Sequence, residues 1–151
     1  MTKRSFLLCV GLLVLTSCLA GNSFPLQFDR YHNPGELIPV YKKLTAMYPK
    51  ITTLHHLGVS PGNNPIYLFE IGPEIGIADK TLPAVLVVAN QDGNHPIATE
   101  GALKLIQLLL ERHDAREQTT WYIIPNGNPD AAFRFFKKPL AMESGNLTPH
   151  N

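Results

Sequence analysis

An aspartate and a histidine stand three residues apart in the segment VVANQDGNHPIATEGALKL, between an apolar run and a helical pattern. Asp92 and His95 enclose the dipeptide Gly-Asn, and Zn²⁺ accepts carboxylate oxygen and imidazole nitrogen at ~2.0–2.2 Å. The same loop also suits a simple turn, because Asn94 can cap the following helix and Pro96 fits its first turn. The sequence therefore leaves two interpretations open: part of a metal site, or a strand-to-helix connection.

Other polar residues give weaker indications of a functional site. Arg134 could hold a substrate carboxylate through two parallel hydrogen bonds, or it could be a solvated surface arginine. In the segment NGNPD we expect Asn128 and Asp130 to be loop residues that shape the floor of a cleft. His55 and His56 are adjacent on a predicted strand, so they point to opposite faces and neither is a ligand candidate.

The segment GVSPG matches the G-x-S-x-G pattern of a serine-hydrolase nucleophile. That motif needs a strand before it and a helix after it, whereas a second β-rich run follows here. The residue after Ser60 is Pro61, which has no N–H to offer an oxyanion hole. We interpret Ser60 as a turn residue.

A helix is predicted to begin after Asn33, which can cap it, with Glu36 at capping-box spacing. Pro39 removes a backbone donor and predicts a late start or a kink. Apolar residues at helical spacing predict the buried face, namely Leu37, Tyr41, Leu44 and Tyr48.

Four β-rich runs and a second helix complete the pattern. ITTLHHLGV and NPIYLFEIG flank SPGNN and predict an antiparallel hairpin, LPAVLVVAN predicts a strand covered on both faces, and TTWYIIP predicts another strand. The second helix carries an apolar stripe of Leu103, Ile106 and Leu110, widened by Leu105 and Leu109. This order predicts an α/β domain with a mixed sheet, whose ligands would sit beyond the carboxyl ends of strands, at NQDGNH and NGNPD.

Taken in order, AMYP, HHLGVSPGNNPIYLFEIG, GNHPIATEGALKLIQLL and IIPNGNPDAAF resemble the N-terminal part of carboxypeptidase A-like zinc carboxypeptidases. The resemblance covers Phe28 to Phe136 and implies a three-layer mixed-sheet domain of which only the N-terminal half is present. That family carries a His-x-x-Glu pair, two of three zinc ligands, in the loop after the first buried strand. Here Asp92 stands at the His position and His95 at the Glu position.

For the complete domain, the resemblance implies zinc-dependent removal of C-terminal residues from peptides. Zinc activates a water, a Glu takes its proton and an Arg holds the substrate's terminal carboxylate. The third ligand and the general base are expected beyond Asn151, so this chain would supply no catalytic residue, with Asp92 and His95 as ligands and Arg134 as the substrate candidate. The alternative is a non-catalytic lipoprotein that uses the fold for peptide binding or surface interaction.

The first twenty residues are predicted to be an export signal, with a basic start and the apolar run Phe6 to Leu15. LTSC, Leu15 to Cys18, resembles the lipobox of bacterial lipoproteins, in which Cys18 would be lipidated; the rival is ordinary cleavage near Ala20. Both interpretations predict export. The lipobox predicts a lipoprotein of the cell envelope, and ordinary cleavage predicts a periplasmic or secreted protein. Membrane contact is expected only through a lipid at Cys18.

Composition bounds the remaining possibilities. The 151 residues are 44% hydrophobic and 17% charged with a net charge of +1, so no nucleic-acid partner is expected. Both cysteines lie in the export segment, which leaves the body without a predicted disulfide or cysteine-bound metal. We predict a tether over residues 21–32, a partial carboxypeptidase-like domain over 33–136 and an irregular, truncated tail over 137–151.

Overall fold

The structure is a computed structural model that describes residues 24–73 and 82–137. The predicted lipobox at Leu15 to Cys18, the alternative cleavage site near Ala20 and all but the first residue of the predicted tail lie outside the described residues. Among the helices of the described ranges, none is long and apolar enough to cross a membrane.

The described chain alternates helices and strands around one four-stranded sheet. In chain order the elements are α1 (Pro34–Met47), β1 (Thr52–Val59), β2 (Pro65–Ile71), β3 (Ala84–Val88), α2 (Pro96–Glu111), β4 (Thr120–Ile124) and α3 (Pro129–Lys137). The strand order is β1-β2-β4-β3. β1 and β2 form the predicted antiparallel hairpin, β4 runs antiparallel to β2, and β3 runs parallel to β4. The predicted α/β fold with a mixed sheet is confirmed.

The start of α1 follows from its capping residues. The Asn33 side chain accepts a hydrogen bond from the Gly35 N–H at 2.9 Å, as an N-cap should. The Glu36 carboxylate accepts from Arg30 at 2.9 Å, so the predicted capping box is replaced by an ion pair. The predicted late start is wrong, because α1 begins before Pro39 and includes it. A proline this early removes one backbone hydrogen bond, and the buried face of the helix compensates for that loss.

Both long helices bury their predicted apolar stripes on one face of the sheet. They form a single core cluster with Phe69, Ile71 and Ile123, whose side chains share that face. The ring of Tyr41 meets Phe69 edge-on, with 5.3 Å between centroids. The fully buried helical residues of this cluster are Leu37, Leu44, Leu103, Ile106 and Leu109.

The opposite face of the sheet has no fully buried side chain in the described part of the chain. Leu68, Tyr122 and Leu86 lie on it, and Leu86 is 63% exposed. The prediction that β3 is covered on both faces is therefore wrong for the described ranges: β3 is an edge strand that pairs only with β4, and its Val85 is 37% exposed. Within residues 24–73 and 82–137, two layers of the expected three are seen, and the sheet ends in an apolar strand edge.

The segment before α1 lies against the body of the domain. Phe24 and Leu26 pack on the core cluster, and His32 is buried. The His32 N–H and Nδ1 both contact the carboxylate of Glu100 in α2, at 2.8 and 3.1 Å. Residues 24–32, which the sequence assigns to a tether, are thus held by packing and by a buried polar pair.

Candidate metal centre

The loop between β3 and α2 is held in place by an asparagine that sequence analysis did not single out. Asn90 adopts φ +51° and is buried. Its Oδ1 accepts a hydrogen bond from the His95 N–H at 3.1 Å, and its backbone oxygen accepts from the Gly93 N–H at 3.1 Å. The four residues from Asn90 to Gly93 therefore form a closed turn. The turn residues in the sequence could have revealed it, since asparagine and glycine tolerate positive φ.

Gly93 lets this turn approach α3 closely. Its φ is +73°, and a Cβ built on it would lie 2.8 Å from the backbone nitrogen of Ala132. Both the positive φ and the lack of space for a Cβ require glycine at this position. The close approach places the backbone of the loop that carries Asp92 and His95 beside the start of α3.

The structure brings the predicted donor pair together. Asp92 Oδ2 lies 3.5 Å from His95 Nδ1, and the two side chains are 78% and 66% exposed. That separation is longer than a good hydrogen bond. Two donors each ~2.1 Å from a tetrahedral metal ion lie ~3.4 Å apart, so the pair has the spacing of two zinc ligands.

The donor set is incomplete within the described chain. No group of three histidine, cysteine, aspartate or glutamate side chains that could hold a metal occurs in residues 24–73 and 82–137. A catalytic zinc takes three protein ligands and keeps a fourth position for water. The residues present therefore fit zinc as two of the ligands, and a third donor would have to come from elsewhere.

Asp92 and Arg134 line one cleft. Its volume is about 380 Å³, and its other lining residues are Asn94, Asn128, Ala131 and Phe135. Arg134 is exposed in α3, opposite the loop that carries the donor pair. A guanidinium that shares a cleft with one candidate metal donor, Asp92, is placed where it can bind a carboxylate.

A profile of the zinc carboxypeptidase family matches residues 38–144 of the sequence. The chain belongs to the zinc carboxypeptidase family. Carboxypeptidase D of Mus musculus is 29% identical over 143 residues, which are 90% of this chain and 10% of that protein. Carboxypeptidase E of Caenorhabditis elegans is 28% identical over 112 residues, 69% of this chain and 24% of that protein.

Solved carboxypeptidase structures share the fold. Carboxypeptidase A from Helicoverpa armigera superposes with a TM-score of 0.71 at 22% identity, covering 89% of this chain and 34% of that one. Bovine thrombin-activatable fibrinolysis inhibitor, in complex with tick carboxypeptidase inhibitor, gives 0.63 at 19% identity, covering 72% and 35%. The chain thus has a zinc carboxypeptidase fold and spans about a third of these solved chains.

One expectation about the polar loops of this zinc carboxypeptidase chain is wrong, and another is wrong in part. Asn94 does not cap α2: the N-cap position is His95, which makes no side-chain cap bond, and Asn90 fixes the His95 backbone instead. Asn128 is a loop residue that lines the cleft, as expected, and its Oδ1 accepts from the Ala131 N–H at 3.1 Å. Asp130 is not in the loop but in the first turn of α3.

Asp130 ties the β1–β2 turn to α3. Its carboxylate accepts hydrogen bonds from the Ser60 hydroxyl, from the Gly62 N–H at 2.8 Å and from Asn64 Nδ2 at 2.6 Å. The Ser60 bond, followed by that from Asn64, lowers the pKa of Asp130 below its usual value. The interpretation of Ser60 as a turn residue is confirmed, and the clamp holds the helix that carries Arg134.

The depressed pKa of Asp130 predicts an acid-dependent loss of stability. A carboxylate whose folded pKa is lowered contributes stability that is complete above its unfolded pKa of about 3.9 and is lost as pH falls through the folded value. We expect Asp130→Asn to lower the urea midpoint at pH 7 and the gap to the wild type to shrink below about pH 4. Urea titrations of both proteins at pH 7 and pH 3 measure this, and an equal gap at both pH values would contradict it.

The adjacent histidines of β1 behave as the strand geometry predicts. His55 Nε2 contacts Glu70 Oε2 at 2.7 Å across the hairpin. The ring of His56 lies 5.3 Å from that of Tyr67. Each therefore has a cross-strand partner on its own face of the sheet.

Proposed function

We propose that this chain forms the N-terminal portion of an exported zinc metallocarboxypeptidase that removes C-terminal residues from peptides. Asp92 and His95 supply two zinc ligands, and the third ligand and the general base lie beyond Asn151. The observation that carries the proposal is the 3.5 Å separation of Asp92 Oδ2 and His95 Nδ1, together with the cleft that Asp92 shares with Arg134. The order of the pair departs from His-x-x-Glu, but carboxylate and imidazole are both ordinary zinc ligands.

Each residue of the site has a separate task in this proposal. Bound zinc supplies Lewis acidity and lowers the pKa of water. Asp92 and His95 would hold the metal, and the Arg134 guanidinium would pair with the terminal carboxylate of the peptide. Asn90 fixes the His95 backbone, so the imidazole starts from a defined position. A terminal carboxylate held by Arg134 restricts the reaction to the last peptide bond.

Zinc content tests the ligand assignment. The protein is expressed with the coding sequence that follows Asn151, and zinc per chain is measured for the wild type, Asp92→Ala and His95→Ala. Each substitution should weaken zinc binding by about 100-fold or more, because outer-shell changes alone cost 10–100-fold. His113→Ala is the matched control, since His113 forms an exposed pair with Glu117 at 3.2 Å on another part of the chain.

The control variant should retain wild-type zinc. Unchanged zinc in both Asp92→Ala and His95→Ala would remove these residues from the metal site. Loss of zinc in all three variants, including the control, would point to misfolding, and the circular dichroism spectrum of each variant separates that case.

The second candidate is a non-catalytic lipoprotein that binds peptides through the same cleft. The Asp-x-x-His order at a family His-x-x-Glu position favours it, as does the high exposure of both side chains. Calorimetry with a peptide in the presence of chelator distinguishes the two functions. Retained binding without hydrolysis favours the binding module, and zinc-dependent release of the last residue favours the peptidase.

Export and a lipid at Cys18 are part of the proposal. They are supported by the basic start, the apolar run and the sequence Leu15 to Cys18. An acyl chain on Cys18 would attach the domain to the membrane surface through residues 19–23. The peptidase would then act in the cell envelope.

A further inference from the structure

A second groove lies between the segment before α1 and the outward face of α2. Its volume is about 560 Å³. Three exposed apolar side chains border it: Tyr31 is 50% exposed, Ile97 is 61% exposed and Phe28 is 36% exposed. Ile97, Gly101 and Lys104 follow each other at helical spacing along α2 and form one wall. We call the five residues Phe28, Tyr31, Ile97, Gly101 and Lys104 the aromatic patch. Neither the donor pair nor Arg134 belongs to it.

Contacts within the domain anchor the segment that carries Phe28 and Tyr31. Buried hydrogen bonds between His32 and Glu100 fix the end of the 28–31 segment on α2. The ring of Phe28 stacks on Phe24 with 6.0 Å between centroids, and Lys104 Nζ lies 4.9 Å from the Phe28 centroid. Exposed apolar groups in a fixed arrangement are positioned for a partner, because little conformational freedom is lost on contact.

The chemistry of the aromatic patch fits a lipid surface. Tyrosine and phenylalanine with an aliphatic neighbour can enter the headgroup boundary, while lysine keeps its ammonium in water. The charges nearly cancel, since Arg30 is paired with Glu36 at 2.9 Å and Asp29 borders the groove beside Lys104. Binding through this surface would therefore depend on apolar insertion more than on attraction to anionic lipid.

The short stretch of chain between Cys18 and the aromatic patch also supports a lipid surface as the partner. Phe24, the first described residue, stands six residues after Cys18. Six residues span at most about 20 Å. An acyl chain on Cys18 would thus keep Phe28 and Tyr31 within reach of the bilayer to which it is anchored.

We propose that the aromatic patch docks on the phospholipid surface and orients the domain, with Tyr31 and Ile97 inserted at the headgroup level. This rests on the lipid anchor of the proposed function. Ile97 follows His95 by two residues, so docking would hold the Asp92–His95 loop beside the membrane. The peptides presented to it would be those that lie at the envelope membrane.

Depth-dependent quenching tests the orientation. The full-length lipidated protein is reconstituted on vesicles whose phospholipids carry bromine on their acyl chains. Tyr31→Trp is compared with the wild type, whose residues 1–151 contain one tryptophan, Trp121. We expect quenching of the introduced tryptophan by about twofold or more, because interfacial segments insert ~5–10 Å. Leu57→Trp is the matched control, since Leu57 is 54% exposed on β1. It should be quenched no more than the wild type.

Two further measurements sharpen the result. Adding Ile97→Ser to Tyr31→Trp should reduce the quenching, and 1 M salt should leave it in place, as apolar insertion predicts. Equal quenching at positions 31 and 57, or none in vesicle-bound protein, would overturn the proposal. So would failure of the protein to float with vesicles, or an emission shift of the introduced tryptophan without bromine quenching, which would mean that protein covers the patch. Mass spectrometry of the same samples shows whether Cys18 is lipidated, and zinc content is measured alongside, so a missing anchor or a failed peptidase assignment remains distinguishable from failed docking.

Discussion

Replacing Glu100 with alanine should destabilise the domain by about 3 kcal/mol and release the segment before α1. Glu100 is 7% exposed, and its carboxylate accepts the His32 N–H at 2.8 Å and contacts His32 Nδ1 at 3.1 Å. Removing it leaves two polar groups of a 6% exposed histidine without their partner. Removing one member of such a buried pair costs more than the pair contributes, because the remaining groups stay away from water.

The effect should extend beyond the pair itself. Burial raises the pKa of Tyr41 in α1, and the Glu100 carboxylate raises it further. The bonds of Glu100 to His32 connect two parts of the fold, the lead-in segment and α2. Loss of the carboxylate should free Phe28 and Tyr31 and thereby also loosen the aromatic patch.

Urea denaturation of the full-length protein measures the change. Glu111→Ala is the matched control, because Glu111 lies at the exposed end of the same helix and bonds only to Gln107, at 2.9 Å, in the described structure. The control should change the free energy of unfolding by less than about 0.5 kcal/mol. Glu100→Gln should fall between the two, since its amide oxygen can still accept the His32 N–H. Equal midpoints for Glu100→Ala and Glu111→Ala would show that the pair does not hold the segment.

The parts of the fold that sequence predicts correctly are those set by local periodicity. Leu37 and Tyr41 on α1, and Leu103 and Ile106 on α2, recur at helical spacing and are buried in the structure. The hairpin is equally local, because two β-rich runs flank five turn residues. In each case the residues that determine the element lie within one turn or one strand pair of each other.

The errors arise where a distant partner decides the outcome. Glu36 has the spacing of a capping box, but Arg30 takes its carboxylate. β3 is as apolar as a central strand, yet in the described ranges it pairs only with β4 and its Leu86 is exposed. His32 and Glu100 are 68 positions apart, and no local pattern connects them. The short helix α3 escapes prediction because NPD resembles a turn, although Asn, Pro and Asp in that order also suit a helix start.

The candidate site shows the same division between local and distant information. Asp92 and His95 are close in sequence, and the spacing alone predicts that their side chains can meet. The scaffold behind them is not local, since Asn90 Nδ2 lies 3.4 Å from Asn126 Oδ1 across two strand ends. Arg134 joins the same cleft only because α3 packs against the Gly93 turn. The candidate donors can therefore be chosen from the sequence, while the rigidity of the backbone that carries them is a property of the fold.

That rigidity can be tested at Gly93, where alanine should cost about 2–5 kcal/mol. An L-residue at φ +73° is strained by ~1–2 kcal/mol, and overpacking a tight contact costs ~1–3 kcal/mol. The new Cβ would lie 2.8 Å from the Ala132 nitrogen and closer still to the Ala131 Cβ. The turn must move away from α3, and the separation of the Asp92 and His95 donor atoms should change with it.

Gly101→Ala provides the opposite result on the neighbouring helix. A Cβ at Gly101 meets no atom within 4 Å, and alanine is favoured over glycine in a helix by ~0.5–1 kcal/mol. Urea midpoints should therefore fall for Gly93→Ala and rise for Gly101→Ala, while zinc affinity falls only in the former. If Gly93→Ala lost stability but kept wild-type zinc affinity, the turn would not be what positions the donors. In that case the exposed side chains would find the metal by their own rotation, and the contact between this loop and α3 would serve the fold alone.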